Sequence, residues 1–308
     1  MNKINLFFAV DNNYSTFLSV TLNSIMDNAN PNYIYDCYVL DNGVHQVHKD
    51  VIEYQLKDNF NVIWVDMKDK LTKFEEKLHT RDYYSKSTYF RLFIPNMFPN
   101  LDKALYLDSD IVVLGDISEL YNTELGTNLV GAVADSAVQN TPIFIEYVKE
   151  VIGVKDEKDY FNAGVLLMNL KQMREENFED KFFDLLSKYT FAVAQDQDYL
   201  NAICLDRVKR VDVSWNIMPI PDNIIKSEKI NLIHYNMLWK PWIFDNTLYE
   251  EYFWKYAKKS PFYKTILRFK EMYPEEKKQK DLDGGAKLLE MCKQEILRPD
   301  NFKKQFLN

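Results

Sequence analysis

The sequence predicts an α/β fold in which a mostly parallel central sheet is flanked by helices and followed by a helical C-terminal appendage. The first observation is a set of short apolar runs, of which INLFFAV at residues 4–10 is typical of a strand covered on both faces. The second is that segments with helical periodicity separate these runs, which favours β-α-β units. The third is size, because 308 residues with 46% hydrophobic content suffice for one large domain with appendages or for two smaller domains.

Strand and helix candidates alternate along the chain. After the first strand, apolar residues from Leu18 to Met26 recur at i, i+4, i+7 and i+8, which is one face of a helix. A second helical segment, VHKDVIEYQL, lies between the next two strands. Ligands of such sheets bind beyond the carboxyl ends of the strands. The remaining strand candidates are YIYDCYVL (33–40), FNVIWV (60–65), KALYLD (103–108), LVGAVA (129–134) and FNAGVLLMNL (161–170).

Charge and composition exclude some classes of protein. The formal net charge of -8 argues against a nucleic-acid-binding protein, because contacts to phosphates need a basic surface. No apolar run approaches the roughly 20 residues that span a bilayer, and the N-terminus lacks the features of a signal peptide, so we expect a cytoplasmic protein. Cys37, Cys204 and Cys292 have none of the usual zinc spacings, and we expect reduced, buried thiols.

Two carboxylates, Asp108 and Asp110, stand between two apolar stretches in LYLDSDIVV. Asp11 ends the first strand and Asp108 ends the fourth candidate strand, so both should face the same crevice. The first turn, VDNNYS, has no glycine, and phosphates could not be cradled there by a glycine-rich loop. A divalent cation held by the carboxylates could neutralise a diphosphate instead.

The competing explanation of this pair is chance, because D-x-D also occurs at 196–198 and at 281–283. The last copy lies in the polar KKQKDLDGG and is interpreted as solvated surface. The pair at 108–110 differs, since an unpaired carboxylate entering a buried edge would cost several kcal/mol. An EF-hand is excluded because Val112 and Val113 stand where that loop needs an Asp or Asn and a Gly. Metal binding is therefore the favoured interpretation.

A second cluster is INLIHYNMLWKPW at 230–242, in which a probable last strand delivers His234. An imidazole beside two carboxylates suits manganese or a similar ion, and the alternative is a core histidine bonded to the backbone. Lys240 could offer a point charge to phosphate, although a lone lysine is usually solvated. Solvent exposure is the simplest interpretation of the other histidines, His45, His48 and His79.

A third cluster is AQDQDYLNAICLDR at 194–207, which predicts a helix with an acidic start. If these residues are purely structural, Asp196 is the N-cap of this helix and the negative charge of Asp198 interacts favourably with the helix dipole. Gln197 would then still point into the crevice.

Taken together, the motifs resemble those of glycosyltransferase family 8, the retaining enzymes that include bacterial lipopolysaccharide galactosyl- and glucosyltransferases and glycogenin. The resemblance covers about residues 1–245 and implies a GT-A type fold that binds a UDP-sugar through manganese. The matching stretches, in the order of the family, are FAVDNNY (8–14), STYFRL (87–92), LYLDSDIVV (105–113), YFNAGVLLMNL (160–170), QDQDYLN (195–201) and HYNMLWKPW (234–242).

The resemblance also implies roles for single residues. One departure is Met237, since several relatives have Gly three residues after the histidine. The implied metal ligands, for Mn²⁺ or Mg²⁺, are Asp108, Asp110 and His234. The implied donor contacts are Ala9, Asp11 and Asn13 at the uridine, Lys240 at the diphosphate, and Arg91, Ser109, Asp135, Asn162 and Ala163 around the rest of the donor. The implied catalytic positions are Gln197, Asp196 and Asp198.

These observations predict a catalytic domain at 1–245 and a helical extension at 246–308. The extension interleaves lysines with glutamates, so a solvated appendage and peripheral association with a membrane are both open.

The predicted function is manganese-dependent transfer of glucose or galactose from UDP-glucose or UDP-galactose to a glycan or lipid-linked saccharide, with retention, in cell-surface polysaccharide biosynthesis. Gln197 is neither a base nor a strong nucleophile, which favours a front-face process, and Asp198 is the reserve candidate for a covalent nucleophile. The alternatives are a Mg-dependent phosphohydrolase and a catalytically silent glycan- or nucleotide-binding module.

Overall fold

The computed structural model describes residues 2–68, 78, 86–224 and 226–307. Apolar runs become strands at each of the predicted places, including the last strand that delivers His234, and the described residues add two short strands, at 111–113 and 208–210. The strands are β1 (Asn2–Asp11), β2 (Tyr33–Asn42), β3 (Phe60–Asp66), β4 (Lys103–Leu107), β5 (Ile111–Val113), β6 (Val130–Ala134), β7 (Phe161–Asn169), β8 (Val208–Arg210) and β9 (Leu232–His234).

Seven of the described strands form one sheet in the order β3-β2-β1-β4-β7-β6-β8. Strands β1 to β4 pair in parallel, as do β6 and β8, which confirms the mostly parallel sheet. Strand β7 runs antiparallel to both of its neighbours, β4 and β6. Its first residues therefore lie beside the carboxyl end of β4, and the backbone N–H of Asp108 donates to the carbonyl of Gly164 at 2.8 Å. This reversal brings the NAG segment of β7 to the predicted crevice.

A two-stranded sheet of β5 and β9 lies beside the main sheet. Its antiparallel register places His234 opposite Ile111, and the N–H of Tyr235 donates to the carbonyl of Asp110 at 2.9 Å. Helix α1 (Ser15–Asn28) holds the segment from the other side, because the hydroxyl of Thr21 is within hydrogen-bond distance of the carbonyls of Ser109 and Ile111. The acidic pair and the histidine, far apart in sequence, are thus adjacent.

Helices cover the sheet and make up most of the C-terminal segment. Three short 3₁₀ segments (Lys86–Phe93, Glu157–Asp159 and Val213–Trp215) and one π-helix (Val148–Ile152) join them. The α-helices are α1 (Ser15–Asn28), α2 (Gln46–Tyr54), α3 (Ile94–Met97), α4 (Ile117–Tyr121), α5 (Ser136–Asn140), α6 (Pro142–Tyr147), α7 (Leu170–Glu175), α8 (Phe178–Lys188), α9 (Asp196–Ile203), α10 (Glu250–Ala257), α11 (Tyr263–Met272), α12 (Glu275–Leu297) and α13 (Phe302–Phe306).

The C-terminal segment is helical, as predicted, and it packs on the rest of the chain. Leu288 and Cys292 of α12 are buried, and so is Phe302 of α13. Within the described residues, no helix combines the length and the apolar character that crossing a bilayer requires. The boundary at residue 245 and membrane association of the extension stay predictions.

All three cysteines are buried and none forms a disulfide, which agrees with the prediction of thiols that pack in the interior. Burial raises the pKa of Cys204 to about 12, so this thiol stays protonated at neutral pH. Burial likewise raises the pKa of Cys37, and the neighbouring carboxylate of Asp36 adds to the effect. These residues contribute packing.

Candidate active site

A cavity opens where β1 and β4 end, with Asp11 and Asp108 on its wall, as predicted. Every predicted site residue lines this cavity except Asn13 and Asp198. Residues from both sheets contribute, because β7 and β9 run into the same region. The cavity is the candidate active site.

Asp108, Asp110 and His234 converge on one point, and their ligand atoms lie within 4.8 Å of one another. The Nε2 atom of His234 is 3.3 Å from Oδ1 of Asp110 and 3.7 Å from Oδ2 of Asp108. That Oδ1 atom of Asp110 is buried and has no hydrogen-bond partner. Because buried carboxylate oxygens without a partner are rare and costly, two carboxylates and an imidazole in this geometry fit a divalent cation.

Lys240 provides the positive charge that the sequence analysis required beside the acidic pair. Its ammonium group is buried and lies 2.5 Å from Oδ2 of Asp110 and 2.8 Å from the carbonyl of Tyr235. Burial alone would raise the pKa of Asp110, but the ammonium group of Lys240 holds it below its ordinary value. The interpretation of Lys240 as a solvated side chain was wrong, and its contact with phosphate stays a prediction.

Arg91 links the acidic pair to the third cluster. Its guanidinium lies 3.0 Å from Oδ1 of Asp108 and 3.1 Å from Oδ2 of Asp196, and it also donates to the carbonyl of Ala163. Burial raises the pKa of Asp196 to about 6, although Arg91 opposes this rise. Asp196 is not the N-cap of α9, because Gln195 occupies that position. The alternative interpretation of Asp196 as an N-cap is therefore wrong, and its carboxylate pairs with Arg91 instead.

Gln197 forms part of the cavity wall with all four of its amide positions in use. Its Oε1 accepts from the N–H of Ala163 at 3.0 Å and from Asn162 at 3.2 Å. Its Nε2 donates to Oδ2 of Asp135 at 3.1 Å and to the hydroxyl of Tyr160 at 3.2 Å. The other oxygen of Asp135 caps α5. Gln197 is thus a fixed group of the cavity wall.

Asp198 lies outside the cavity and has a structural role. It is fully buried, and its carboxylate accepts hydrogen bonds from Tyr147 at 2.8 Å, Tyr160 at 2.6 Å and the N–H of Ala194 at 2.8 Å. Burial and the charge of Asp198 raise the pKa of both tyrosines, so their hydroxyls stay protonated and donate. Asp198 therefore holds the turn that presents Gln197, and the structure does not bring it to the site as a nucleophile.

Asn13 also lies outside the cavity. Its side chain is exposed and lines a neighbouring cavity beyond Tyr14. The N–H groups of both residues donate to Oδ1 of Asp11, at 2.9 and 3.0 Å. The VDNNYS turn is therefore closed by an aspartate side chain, which explains how it forms without glycine.

The comparison with known families agrees with this geometry, because the family described as Glycosyl transferase family 8 matches residues 5–246. The chain belongs to glycosyltransferase family 8. It is 31% identical over 274 residues to glycosyltransferase GlyB of Streptococcus pneumoniae, which covers 83% of this chain and 62% of GlyB. It is 29% identical over 257 residues to a lipopolysaccharide 1,2-glucosyltransferase of Escherichia coli, which covers 78% of this chain and 73% of that protein.

Solved structures extend the family likeness to the fold. The crystal structure of galactosyltransferase LgtC in complex with donor and acceptor sugar analogs superimposes with a TM-score of 0.71 at 28% identity, and the match covers 89% of this chain and 98% of LgtC. The expected GT-A fold is thereby confirmed. This family 8 member is a glycosyltransferase.

Met237, the departure from the family pattern named in the sequence analysis, adopts a left-handed backbone conformation with φ of 56°. Glycine populates this conformation without steric cost, whereas a side chain makes it unfavourable. Met237 also lines the active-site cavity. Residue 237 therefore has a backbone conformation that glycine favours, and its thioether side chain forms part of the cavity wall.

Gly164 is a site residue that the sequence analysis missed. A Cβ atom there would lie 2.2 Å from Cε1 of His234 and 2.7 Å from Oδ2 of Asp108. A lone glycine inside a strand pattern often marks such a close approach, so FNAG contained the signal. Of the other histidines, His45 is exposed and His48 is half-buried against the hydroxyl of Ser15 at 2.7 Å, whereas His79 lies outside the described residues.

Gly164→Ala is expected to weaken binding of Mn²⁺ by about 10–100-fold, since the added methyl group displaces two of the three candidate ligands and a mispositioned ligand costs roughly that much. Isothermal titration with Mn²⁺ measures this effect. The control is Gly285→Ala in α12, where the nearest atom to the new Cβ is 3.7 Å away. Equal Mn²⁺ affinity of the Gly164 variant and the wild type would contradict the expected crowding.

Proposed function

We propose that this glycosyltransferase is a metal-dependent, retaining hexosyltransferase that transfers glucose or galactose from a UDP-sugar to a glycan or lipid-linked saccharide. The observation that carries the proposal is the cluster of Asp108, Asp110 and His234, with its unpartnered buried oxygen, at the carboxyl ends of β1 and β4. The cluster fits Mn²⁺ or Mg²⁺ by its ligand types. The lipopolysaccharide 1,2-glucosyltransferase relative supports a saccharide acceptor.

Each group of residues has a distinct part in this proposal. Held by the three ligands, the divalent cation would act as a Lewis acid on the departing diphosphate. Lys240 and Arg91 place positive charge beside Asp110 and Asp108, where it would offset the negative charge that develops on the departing diphosphate. Asp11 and Ala9 line the cavity near the end of β1, where the nucleoside would lie.

The contacts that the acidic residues around the cavity already make support retention. An inverting transferase needs a carboxylate that is available as a base for the acceptor. Asp196 is paired with Arg91, Asp135 accepts from α5 and from two amides, and Asp108 and Asp110 form the candidate metal site. Asp198, the candidate for a covalent nucleophile, lies outside the described cavity wall. In a front-face process the departing diphosphate accepts the proton of the acceptor. Such a process needs neither a carboxylate base nor a covalent nucleophile from the protein.

The two alternative functions are less well supported. The phosphohydrolase hypothesis expected the acidic pair near the first strand, whereas the pair follows β4. The hypothesis of a silent binding module does not explain a complete set of three candidate ligands. The relatives reported above are named as glycosyltransferases.

A donor screen tests the proposal. We expect UDP release from UDP-glucose or UDP-galactose in the presence of Mn²⁺, its loss with EDTA, and an α-linked product from an α-linked donor. Proton NMR of the first product gives the anomeric configuration. A β-linked product would reject retention, and UDP release that is indifferent to metal would reject the metal-dependent mechanism.

A further inference from the structure

Two side-chain amides, those of Asn216 and Asn162, connect the candidate metal ligand His234 to the amide of Gln197. The Nδ1 atom of His234 lies 3.1 Å from Oδ1 of Asn216, whose Nδ2 donates to Oδ1 of Asn162 at 3.0 Å. The Nδ2 of Asn162 then donates to Oε1 of Gln197 at 3.2 Å. Asn216 and Asn162 are buried, with 0% and 5% exposure. We call these four residues the amide chain.

The backbone explains why Asn216 lies beside the histidine. Ile217 forms a bridge with Ile233, and the N–H of His234 donates to the carbonyl of Ile217 at 2.8 Å. The residue before this bridge, Asn216, is thereby placed next to the imidazole ring. It does not line the cavity, so it acts through other residues.

The direction of each hydrogen bond in the amide chain is fixed by two backbone N–H groups. A backbone N–H can only donate, so the atom of Asn162 that meets the N–H of Gly164 at 3.0 Å is oxygen. The atom of Gln197 that meets the N–H of Ala163 at 3.0 Å is oxygen for the same reason. These contacts fix the orientation of both amides, whose oxygen and nitrogen atoms cannot be told apart by shape alone.

The orientation then propagates to the histidine. Because Asn162 presents its oxygen, Asn216 must offer its Nδ2 to that oxygen and turn its own Oδ1 to His234. A carbonyl oxygen only accepts, so Nδ1 of His234 carries a proton. The lone pair is then available on Nε2, the atom that faces Asp108 and Asp110.

We propose that Asn216 is a positioning residue that fixes the Nδ1-protonated form of His234 and couples this ligand to Gln197. Hydrogen bonds to the second nitrogen of a ligating histidine set which nitrogen binds the metal. The proposal rests on the proposed function for the identity of the bound ion, whereas the protonation of Nδ1 is independent of any ligand.

Binding of Mn²⁺ tests the role of Asn216. Asn216→Ala is expected to weaken Mn²⁺ binding by about 10–100-fold, because the proton on Nδ1 loses its acceptor. Asn216→Asp keeps an acceptor for that proton but loses the N–H donor to Oδ1 of Asn162, so it is expected to bind Mn²⁺ more tightly than Asn216→Ala and less tightly than the wild type. The matched control is Asn231→Ala, which removes an equally buried asparagine bonded to Ser214 outside the amide chain. Equal Mn²⁺ affinity of wild type and Asn216→Ala would overturn the proposal.

Nitrogen NMR of the wild type measures the protonation of Nδ1 of His234 without metal or donor. The chain has four histidines, and loss of one pair of signals in His234→Ala assigns His234. We expect a protonated, pyrrole-type Nδ1 in the metal-free protein, and a pyridine-type Nδ1 would overturn the proposal. A protein with this Nδ1 proton that failed to release UDP in the donor screen would reject the proposed function and leave the amide chain intact.

Discussion

Replacement of Asp110 by asparagine is expected to abolish Mn²⁺-dependent binding of UDP and to lower turnover of the UDP-sugar by about 10³-fold, since a Lewis-acid contact contributes several kcal/mol and each 1.36 kcal/mol is tenfold. The buried Oδ1 of Asp110 has no protein partner, so its charge is available to a cation. Asparagine keeps the shape of the side chain and removes that charge.

Calorimetric titration of UDP with and without Mn²⁺ measures the effect, and Asp108→Asn and His234→Ala should behave in the same way. The control is Asp283→Asn, which makes the same change in the exposed D-x-D of α12. Thermal unfolding reports whether the fold persists. The assignment of the metal ligands fails if all three variants keep the metal dependence of the wild type.

Gln197→Ala is expected to lower turnover by about 10²–10³-fold, the range for loss of one polar contact that stabilises a transition state. The substitution also leaves the N–H of Ala163 and Oδ2 of Asp135 without the amide that now joins them. The affinity for UDP should change little, because the candidate metal ligands and Lys240 remain. The expected signature is a fall in kcat with a nearly constant Kd for UDP.

Steady-state kinetics and titration with UDP separate these two quantities. Gln294→Ala, on the exposed face of α12, is the matched control. A loss of UDP affinity as large as the loss of turnover would contradict the assigned position of Gln197 beside the transferred sugar.

Apolar runs predicted the strands well, but they do not encode direction. INLFFAV and FNAGVLLMNL are both buried on two faces, and the first became β1 in a parallel pairing while the second became the antiparallel β7. Both environments select the same residues, because each strand is covered on both sides. The direction of β7 depends on the path of helices α5 and α6 between β6 and β7, which periodicity does not define.

The candidate site was predictable where neighbouring apolar residues implied that an unpaired polar side chain would be buried at a high cost in free energy. Asp108 and Asp110 stand between apolar flanks, and this context indicated a positive partner. Asp196 looked like an N-cap because its partner, Arg91, is remote in sequence. Asn216 gave no signal for the same reason, since its two partners are His234 and Asn162. Partners brought together only by tertiary structure are the part that a single sequence leaves open.

The ion pair between Lys240 and Asp110 places a positive charge beside the candidate metal site. A cation would bind at Oδ1 of Asp110 while the ammonium group of Lys240 stays at Oδ2 of the same carboxylate, so repulsion between the two charges reduces the affinity for metal alone. A diphosphate would offer both positive charges a shared anion. Metal and nucleotide would then each tighten the binding of the other by the same factor, because such coupling is reciprocal.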